Sequence, residues 1–201
     1  MTESKSSNNS IANPPDYDVV IAGASLAGCA SAILLGRAGL SVALVEKSPD
    51  PSAFKRMCSH FIQASGVPVL ERLDLLEPII EAGGLRSRMR AWTPWGWIEA
   101  PADRAGQAVN LRRELLDPML RDTAAATPGV ELMLGQGAHS LLRDGEIVRG
   151  LAVRDRNGEE TELRASLVVG ADGRDSRVAG LAGVAEEVLP HGRFAYGAYF
   201  E

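Results

Sequence analysis

Hydrophobic positions near the start of the chain form two continuous runs separated by a helical repeat. Asp18–Ala22 is short, apolar and rich in β-branched residues, which is typical of a strand buried on both faces. After a tight turn, apolar residues recur at helical spacing as far as Gly39. Ser41–Val45 is a second run of the buried-strand type and is closed by Glu46. A strand, a helix and a strand within about 30 residues predict a βαβ unit with a right-handed crossover.

The alternation of strand and helix then stops between Pro49 and Val130. Pro49–His60 is polar and basic and predicts a loop, whereas Val69–Ala82 carries a helical pattern that Pro78 would kink or divide. Met89–Glu99 predicts a hairpin that turns near its Pro-Trp-Gly segment. Leu115–Ala126 predicts a further helix.

From Val130 onward the pattern predicts antiparallel strands joined by tight turns. Asp-Gly at 144–145 and Asn-Gly at 157–158 are strong hairpin dipeptides. Leu167–Gly170 is continuously apolar, so we expect it to return to the buried parallel sheet. The predicted strands are Val130–Leu134, Ala138–Arg143, Ile147–Asp155, Glu160–Arg164 and Leu167–Gly170. The predicted fold class is therefore α/β: a Rossmann-like fold with a parallel central sheet and an inserted antiparallel β-meander.

Composition and charge narrow the classes of partner. The 201 residues are 45% hydrophobic and carry a formal net charge of −5, which argues against nucleic-acid binding because phosphates require a basic face. The polar first 15 residues lack the apolar core of a signal peptide and predict a disordered tail. The longest apolar stretch is too short to span a bilayer, so we expect no stable membrane insertion and a cytoplasmic location. Two cysteines and three dispersed histidines give no expected metal site.

The turn between the first strand and the first helix is the candidate ligand site. Free amide N–H groups and the positive end of the helix dipole form an anion site there, made by Gly23 to Gly28 with Ser25, Leu26 and Ala27 between them. Gly23 permits the sharp turn and Gly28 permits close packing, but serine occupies the place of the middle glycine of G-x-G-x-x-G. A carboxylate at Glu46 could accept hydrogen bonds from an adenosine ribose. The alternative is a tight turn that binds no ligand.

A second motif supports a family resemblance. The buried strand at 167–170 runs into Asp172–Gly173, and Ser176 follows. Together with the glycine turn, this pattern resembles the FAD-dependent aromatic-ring hydroxylases of the para-hydroxybenzoate hydroxylase type, whose relatives include flavin-dependent halogenases and geranylgeranyl reductases. The resemblance implies FAD as cofactor, NAD(P)H as co-substrate, and Asp172 and Gly173 on the cofactor side. Ala179 stands where the family usually has an arginine.

Three basic residues are assigned to the cofactor by the same resemblance. Arg113 opens the segment R-E-L-L-D-P-M-L, which matches the family's R-x-x-L-D-x-x-L helix start. Its alternative reading is a solvated arginine at a helix terminus. Arg56 lies in the loop after the ribose-binding acid, where a basic residue often approaches the cofactor, and Lys47 follows that acid directly.

The sequence thus predicts the FAD-binding portion of an NAD(P)H-dependent monooxygenase that acts on a small organic or aromatic substrate. Residues 16–185 are the expected FAD-binding domain, the hairpin near 88–101 belongs to the substrate side, and 186–201 begin a truncated substrate domain. The family's third signature, a Gly-Asp element, has no match, so the chain alone is expected to be inactive and to bind FAD weakly or not at all. A halogenase, an isoprenoid reductase and a non-catalytic remnant remain alternatives. No residue is assigned to catalysis, and the oligomeric state is not predicted.

Overall fold

The computed structural model describes residues 15–88, 90–99, 107–184, 187, 189, 190, 192 and 194. The predicted tail, apart from Pro15, lies outside the described residues, as do Met89 and most of the segment predicted to begin a second domain. The helices are α1 (Leu26–Arg37), α2 (Val67–Arg72), α3 (Leu76–Glu81), α4 (Arg113–Ala126) and α5 (Arg177–Ala182). The strands are β1 (Tyr17–Ala22), β2 (Val42–Glu46), β3 (Phe61–Ile62), β4 (Leu85–Ser87), β5 (Arg90–Thr93), β6 (Gly96–Glu99), β7 (Ala108–Asn110), β8 (Val130–Leu134), β9 (Gly137–Asp144), β10 (Ile147–Arg154) and β11 (Glu160–Gly170).

A six-stranded sheet in the order β8-β2-β1-β11-β10-β9 forms the centre of the molecule. β8, β2, β1 and the second half of β11 are parallel, and β9, β10 and the first half of β11 form the antiparallel meander. The predicted fold class, a parallel central sheet with an antiparallel β-meander, is therefore confirmed.

β11 is one strand, although the sequence predicted two. Its first half pairs antiparallel with β10 (Arg154 opposite Glu160), and its second half pairs parallel with β1 (Ala22 opposite Gly170). The prediction placed a break between Arg164 and Leu167, but no glycine, proline or Asx turn residue lies there, so the chain continues straight. The meander and the parallel strands consequently form one continuous sheet.

β8 is parallel to its neighbour, whereas the sequence predicted antiparallel strands from Val130. Val42 of β2 lies opposite Val130 and Glu46 opposite Leu134, both in a parallel register. The reason is that α4 directly precedes β8, and a helix that returns the chain across the sheet face makes the next strand run parallel. The antiparallel part begins only at β9.

Both faces of the parallel strands are buried, which explains their continuous apolar runs. On β1, Val19 and Ile21 face one hydrophobic cluster, while Val20 and Ala22 face the other. The first cluster contains α1 and α4, represented by Ile33, Leu116 and Leu120. The second is closed by the meander and α5, with Leu151, Val153 and Val178 among its buried residues. The core thus lies on both sides of the sheet and leaves the strand ends at its edge open.

The helical pattern of Val69–Ala82 forms two short helices rather than one. The break falls at Asp74, whose φ of +58° is left-handed, and not at Pro78. Pro78 lies in the first turn of α3, where its missing N–H group is not needed. Arg37 of α1 donates to the carbonyls of Arg72 and Leu73 at 2.8 and 3.2 Å and so caps the end of α2.

The predicted hairpin is present as β5 and β6, which pair with each other as a separate two-stranded sheet. Trp92 and Trp97 pack edge to face with their ring centroids 5.3 Å apart, and the Arg90 guanidinium lies 4.5 Å from the Trp97 ring centroid. Trp95 at the turn is 93% exposed.

Among the described residues, no helix is both long and apolar enough to cross a bilayer.

The bulge in β10 yields a first prediction. Gly150 has a φ of +151°, and a Cβ at this position would lie 2.2 Å from the carbonyl oxygen of Leu163. We expect Gly150→Ala to lower the free energy of unfolding by about 1–3 kcal/mol, because it adds strain and opens the β10–β11 ladder. Urea denaturation followed by circular dichroism measures the effect.

Gly180→Ala is the matched control for that change. Gly180 lies in α5, and a Cβ there would meet no atom within 4 Å. Alanine should be neutral or stabilise by up to about 1 kcal/mol. Equal losses in the two variants would show that the bulge does not require glycine.

Candidate functional site

The carboxyl ends of three parallel strands meet at one edge of the sheet. Ala22 of β1 lies opposite Val45 of β2 on one side and Gly170 of β11 on the other. The backbone continues this alignment past the strands, since Gly23 N donates to Val45 O at 2.8 Å and Ala171 N donates to Ala22 O at 2.8 Å. Ligands of open α/β sheets bind at such an edge.

Two glycines allow the turn between β1 and α1 to pack against the end of β11. Gly23 has a φ of +103°, and a Cβ on it would lie 2.5 Å from the carbonyl oxygen of Ala171. A Cβ on Gly28 would lie 1.8 Å from the carbonyl oxygen of Gly23. Neither position can hold a side chain unless the backbone moves, so both glycines are required by geometry.

Glu46 braces the turn with part of its hydrogen-bonding capacity. One carboxylate oxygen accepts the Ala24 N–H at 3.0 Å, and the other accepts the Ser48 N–H at 2.9 Å. An ionised carboxylate offers about four acceptor positions, so both oxygens can also accept hydroxyl groups from a ligand.

A cavity of about 190 Å³ lies over these strand ends. Its wall carries charges of both signs, and Arg177 is fixed there by donating to the His139 carbonyl at 3.3 Å. Gln136 also lines it, and the side-chain carbonyl of Gln136 is buried with no hydrogen-bond partner among the described residues. The lining residues are Ala22, Gly23, Val45, Glu46, Lys47, Gln136, Gly137, Ala138, Asp172, Asp175 and Arg177.

Asp172 organises the chain where it leaves β11. Its carboxylate accepts the Ser176 hydroxyl at 2.5 Å and the N–H groups of Arg177 and Val178 at 2.7 and 3.1 Å, so it caps α5. Partial burial acts to raise the pKa of Asp172, but these hydrogen bonds outweigh it and hold the pKa below its usual value. Gly173 follows with a φ of +98° and is exposed.

A row of buried charges runs along α4 behind the glycine turn. Arg113, Asp117 and Arg121 occupy successive turns and are 4%, 1% and 4% exposed. Arg113 forms a bidentate pair with Asp117, with Nε to Oδ1 at 2.7 Å and Nη2 to Oδ2 at 2.9 Å. Burial disfavours the charged guanidinium, but its hydrogen bonds to Asp117 and Cys58 raise the pKa of Arg113 above the usual value. Arg113 therefore stays charged.

The same row attaches two loops to α4. Arg113 Nη2 donates to Ser25 Oγ at 2.7 Å, and Arg121 Nε donates to the Ala24 carbonyl at 3.2 Å, so both arginines hold the glycine turn. Arg121 also donates to the carbonyls of Pro51 and Ala53, and Asp117 accepts the Lys55 N–H at 3.0 Å. The irregular segment after β2 is thereby fixed beside the turn.

The structure brings most of the predicted site residues into two adjoining groups. Gly23, Glu46, Lys47 and Asp172 line the cavity. Ser25 and Arg113 are joined behind it, and Leu26, Ala27 and Gly28 form the first turn of α1. Arg56 is exposed in its loop and is not among the cavity-lining residues.

The site residues that were not predicted include Asp117, Arg121, Gln136 and Arg177. Asp117 and Arg121 follow Arg113 at intervals of four residues, and this spacing on a predicted helix was the available signal. Arg177 lies two residues before the position where the family's arginine is missing. Gln136 follows an ordinary turn and has no comparable signal.

Comparison with known proteins identifies relatives of several activities. The chain is 30% identical over 181 residues to a digeranylgeranylglycerophospholipid reductase of Picrophilus torridus, with 87% of the chain and 43% of the relative covered. It is 33% identical over 190 residues to a kynurenine 3-monooxygenase of Salinispora arenicola, with 87% and 41% covered. The chain therefore spans less than half the length of the curated relatives it matches.

Solved structures share the architecture. PqsL of Pseudomonas aeruginosa superimposes with a TM-score of 0.69 at 25% identity, covering 87% of this chain and 48% of that one. The flavin-dependent brominase Bmp2 gives a TM-score of 0.68 at 27% identity, covering 84% and 40%. The FAD binding domain family matches residues 16–192, which is most of the chain. These strand ends, the glycine turn and the matched residues make the chain a member of the FAD binding domain family.

Proposed function

We propose that the chain holds FAD at the edge of the sheet as part of an NAD(P)H-dependent monooxygenase acting on small organic or aromatic substrates. The proposal rests on one observation: the glycine turn, Glu46 and Asp172 lie together at the ends of three parallel strands. The kynurenine 3-monooxygenase relative supports the reaction class. When bound, FAD supplies the transfer of electrons from a reduced nicotinamide to the oxidising reaction.

The residues fit an adenine dinucleotide. Gly23 and Gly28 let the turn pack directly against the end of β11, and the first turn of α1 offers backbone N–H groups to phosphate oxygens. Glu46 is placed to accept ribose hydroxyls, and Lys47 adds a positive charge to the same wall. The side-chain carbonyl of Gln136, which is one of the cavity-lining residues, has no hydrogen-bond partner among the described residues and so remains an acceptor for a ligand donor.

The remaining assignments are parts of the same proposal. Arg113 and Arg56 are assigned to the cofactor side, and Asp172 and Gly173 to the turn that borders it. Residues 16–185 are assigned to FAD binding, 88–101 to the substrate side and 186–201 to the start of a second domain. The location is cytoplasmic, and the partner of the whole protein is a small organic molecule.

A reductase of isoprenoid lipids is the second candidate. It is favoured by the matches to digeranylgeranylglycerophospholipid reductases, of which the Methanosarcina mazei protein is 30% identical over 177 residues. The site described above is compatible with either reaction, because its residues are assigned to FAD and none of them is assigned to the substrate. Consumption of O₂ by the whole protein with an aromatic substrate would favour the monooxygenase.

Titration with FAD is the direct test of the proposal. Because the family's Gly-Asp signature has no match in the chain, we expect FAD to bind weakly but saturably, with a change in flavin fluorescence. We expect excess NAD not to compete. Equal competition by NAD would replace the flavin proposal with general dinucleotide binding. Absence of any binding would leave the fold assignment standing, and would mean that FAD binding requires the family's third signature or that the site has decayed.

Gly23→Val tests whether the glycine turn is the binding element. A branched side chain would collide with the Ala171 carbonyl and displace the turn, so we expect FAD affinity to fall by roughly tenfold or more. Gly39→Val is the matched control, because Gly39 also has a positive φ, +87°, but no atom lies within 4 Å of its Cβ position. Loss of affinity in both variants would point to general destabilisation.

Asp172→Ala tests the cap at the end of β11 through its pH dependence. The lowered pKa of Asp172 means that its stabilising effect is present above the unfolded value of 3.8 and is lost as the pH falls through the folded value. At pH 7 the variant should lose about 1 kcal/mol of unfolding free energy, and the difference from the unaltered chain should shrink towards pH 3. Urea titrations across that range measure it.

Asp175→Asn serves as the control, because Asp175 is an exposed neighbour whose carboxylate pairs only loosely with Arg174, at 3.5 Å. It should change unfolding little at any pH. A pH-independent loss in Asp172→Ala would show that the cap does not depend on the carboxylate charge.

A further inference from the structure

Ser25 occupies the N-cap position of α1 but does not cap it. Serine is among the preferred N-cap residues because its hydroxyl oxygen accepts an N–H of the first helical turn. Ser25 has the extended backbone of an N-cap, with φ −111° and ψ −160°, yet makes no side-chain capping hydrogen bond. Its Oγ instead lies 2.7 Å from Nη2 of Arg113, which is 88 residues away in the chain.

The direction of this hydrogen bond is fixed by chemistry. A guanidinium can only donate, so the Ser25 oxygen must be the acceptor. The single hydroxyl hydrogen is then left to point away from Arg113. At the same time, the N–H groups of the first turn of α1 do not donate to the serine side chain.

Arg113 is held so that it cannot release the serine easily. Its Nε and Nη2 both donate to Asp117, and its own backbone N–H donates to Nδ1 of His60 at 3.0 Å. The arginine is 4% exposed, so its guanidinium is largely shielded from water. The geometry therefore favours one orientation of the hydroxyl.

We propose that Arg113 is a positioning residue that converts Ser25 from a helix cap into a cofactor ligand. By occupying the serine oxygen, it directs the Ser25 O–H and the N–H groups of the first turn of α1 towards a phosphate oxygen of FAD. Asp117 maintains this arrangement by fixing the guanidinium. The inference rests on the proposed FAD binding and assigns the serine of the glycine turn an active part in it.

Two substitutions of Ser25 test whether its hydroxyl binds FAD or whether the position requires only a small residue. Ser25→Gly restores the usual glycine of the fingerprint, and Ser25→Ala removes only the hydroxyl. If the hydroxyl donates to phosphate, both variants should bind FAD about tenfold more weakly in a fluorescence titration. Binding by Ser25→Gly as tight as that of the unaltered chain would overturn the proposal. Thermal unfolding followed by circular dichroism confirms that each variant is folded.

A double-mutant cycle tests the part assigned to Arg113. In an Arg113→Lys background the bidentate pair with Asp117 is lost, so adding Ser25→Ala should weaken FAD binding by less than about twofold. Arg112→Lys is the control background, because Arg112 lies next to Arg113 but is paired with Glu114 at the surface, and there the tenfold effect of Ser25→Ala should remain. If Arg113→Lys does not fold, Asp117→Asn provides the same cycle with the side-chain shape kept.

The outcomes distinguish the two proposals. Full additivity of Ser25→Ala and Arg113→Lys, with FAD bound by every variant, would overturn the positioning role and leave FAD binding intact. No FAD binding by the unaltered chain would overturn the proposed function and this inference together. A reduced serine effect only in the Arg113 or Asp117 backgrounds would support the inference.

Discussion

The buried charge row of α4 is the interaction on which the site depends. Burying two guanidinium groups and one carboxylate is costly unless each finds polar partners. Arg113 and Asp117 pair with each other within the helix, and the other partners lie outside it. Arg113 and Arg121 reach the glycine turn, and Arg121 and Asp117 reach the loop that follows β2. That loop has no regular structure of its own to satisfy its backbone. The buried charges of α4 thus hold this irregular loop in place, as the hydrogen bonds of a sheet hold a strand.

The long strand β11 gives the site its second support. β11 pairs with β10 along its first half and with β1 along its second. It therefore fixes the meander relative to the cofactor edge of the sheet. Its end presents Ala171 against Gly23, and Asp172 then starts α5. The cavity wall is consequently built partly from β9 residues, which are distant from the glycine turn in sequence.

The parts of the fold that were predictable are those that local patterns specify. The runs of β1 and β2 are apolar on both faces and thereby indicate a buried parallel sheet, and the glycine turn follows from its spacing. The direction of β8 was not predictable from its side chains, since alternation does not encode the direction of a neighbouring strand. The break predicted between Arg164 and Leu167 was wrong, because no glycine, proline or Asx residue lies there to turn the chain. Arg121 was missed because its acceptors are backbone carbonyls, which carry no residue signature.

The placement of the aromatic residues has a spectroscopic consequence. The sequence contains three tryptophans, and all of them, Trp92, Trp95 and Trp97, lie on the β5–β6 hairpin. The core and the cofactor edge contain none, so the tryptophan emission of the molecule originates from one small, largely exposed element. Tryptophan fluorescence in this protein therefore reports what approaches that hairpin, and unfolding of the six-stranded sheet would be nearly silent in it.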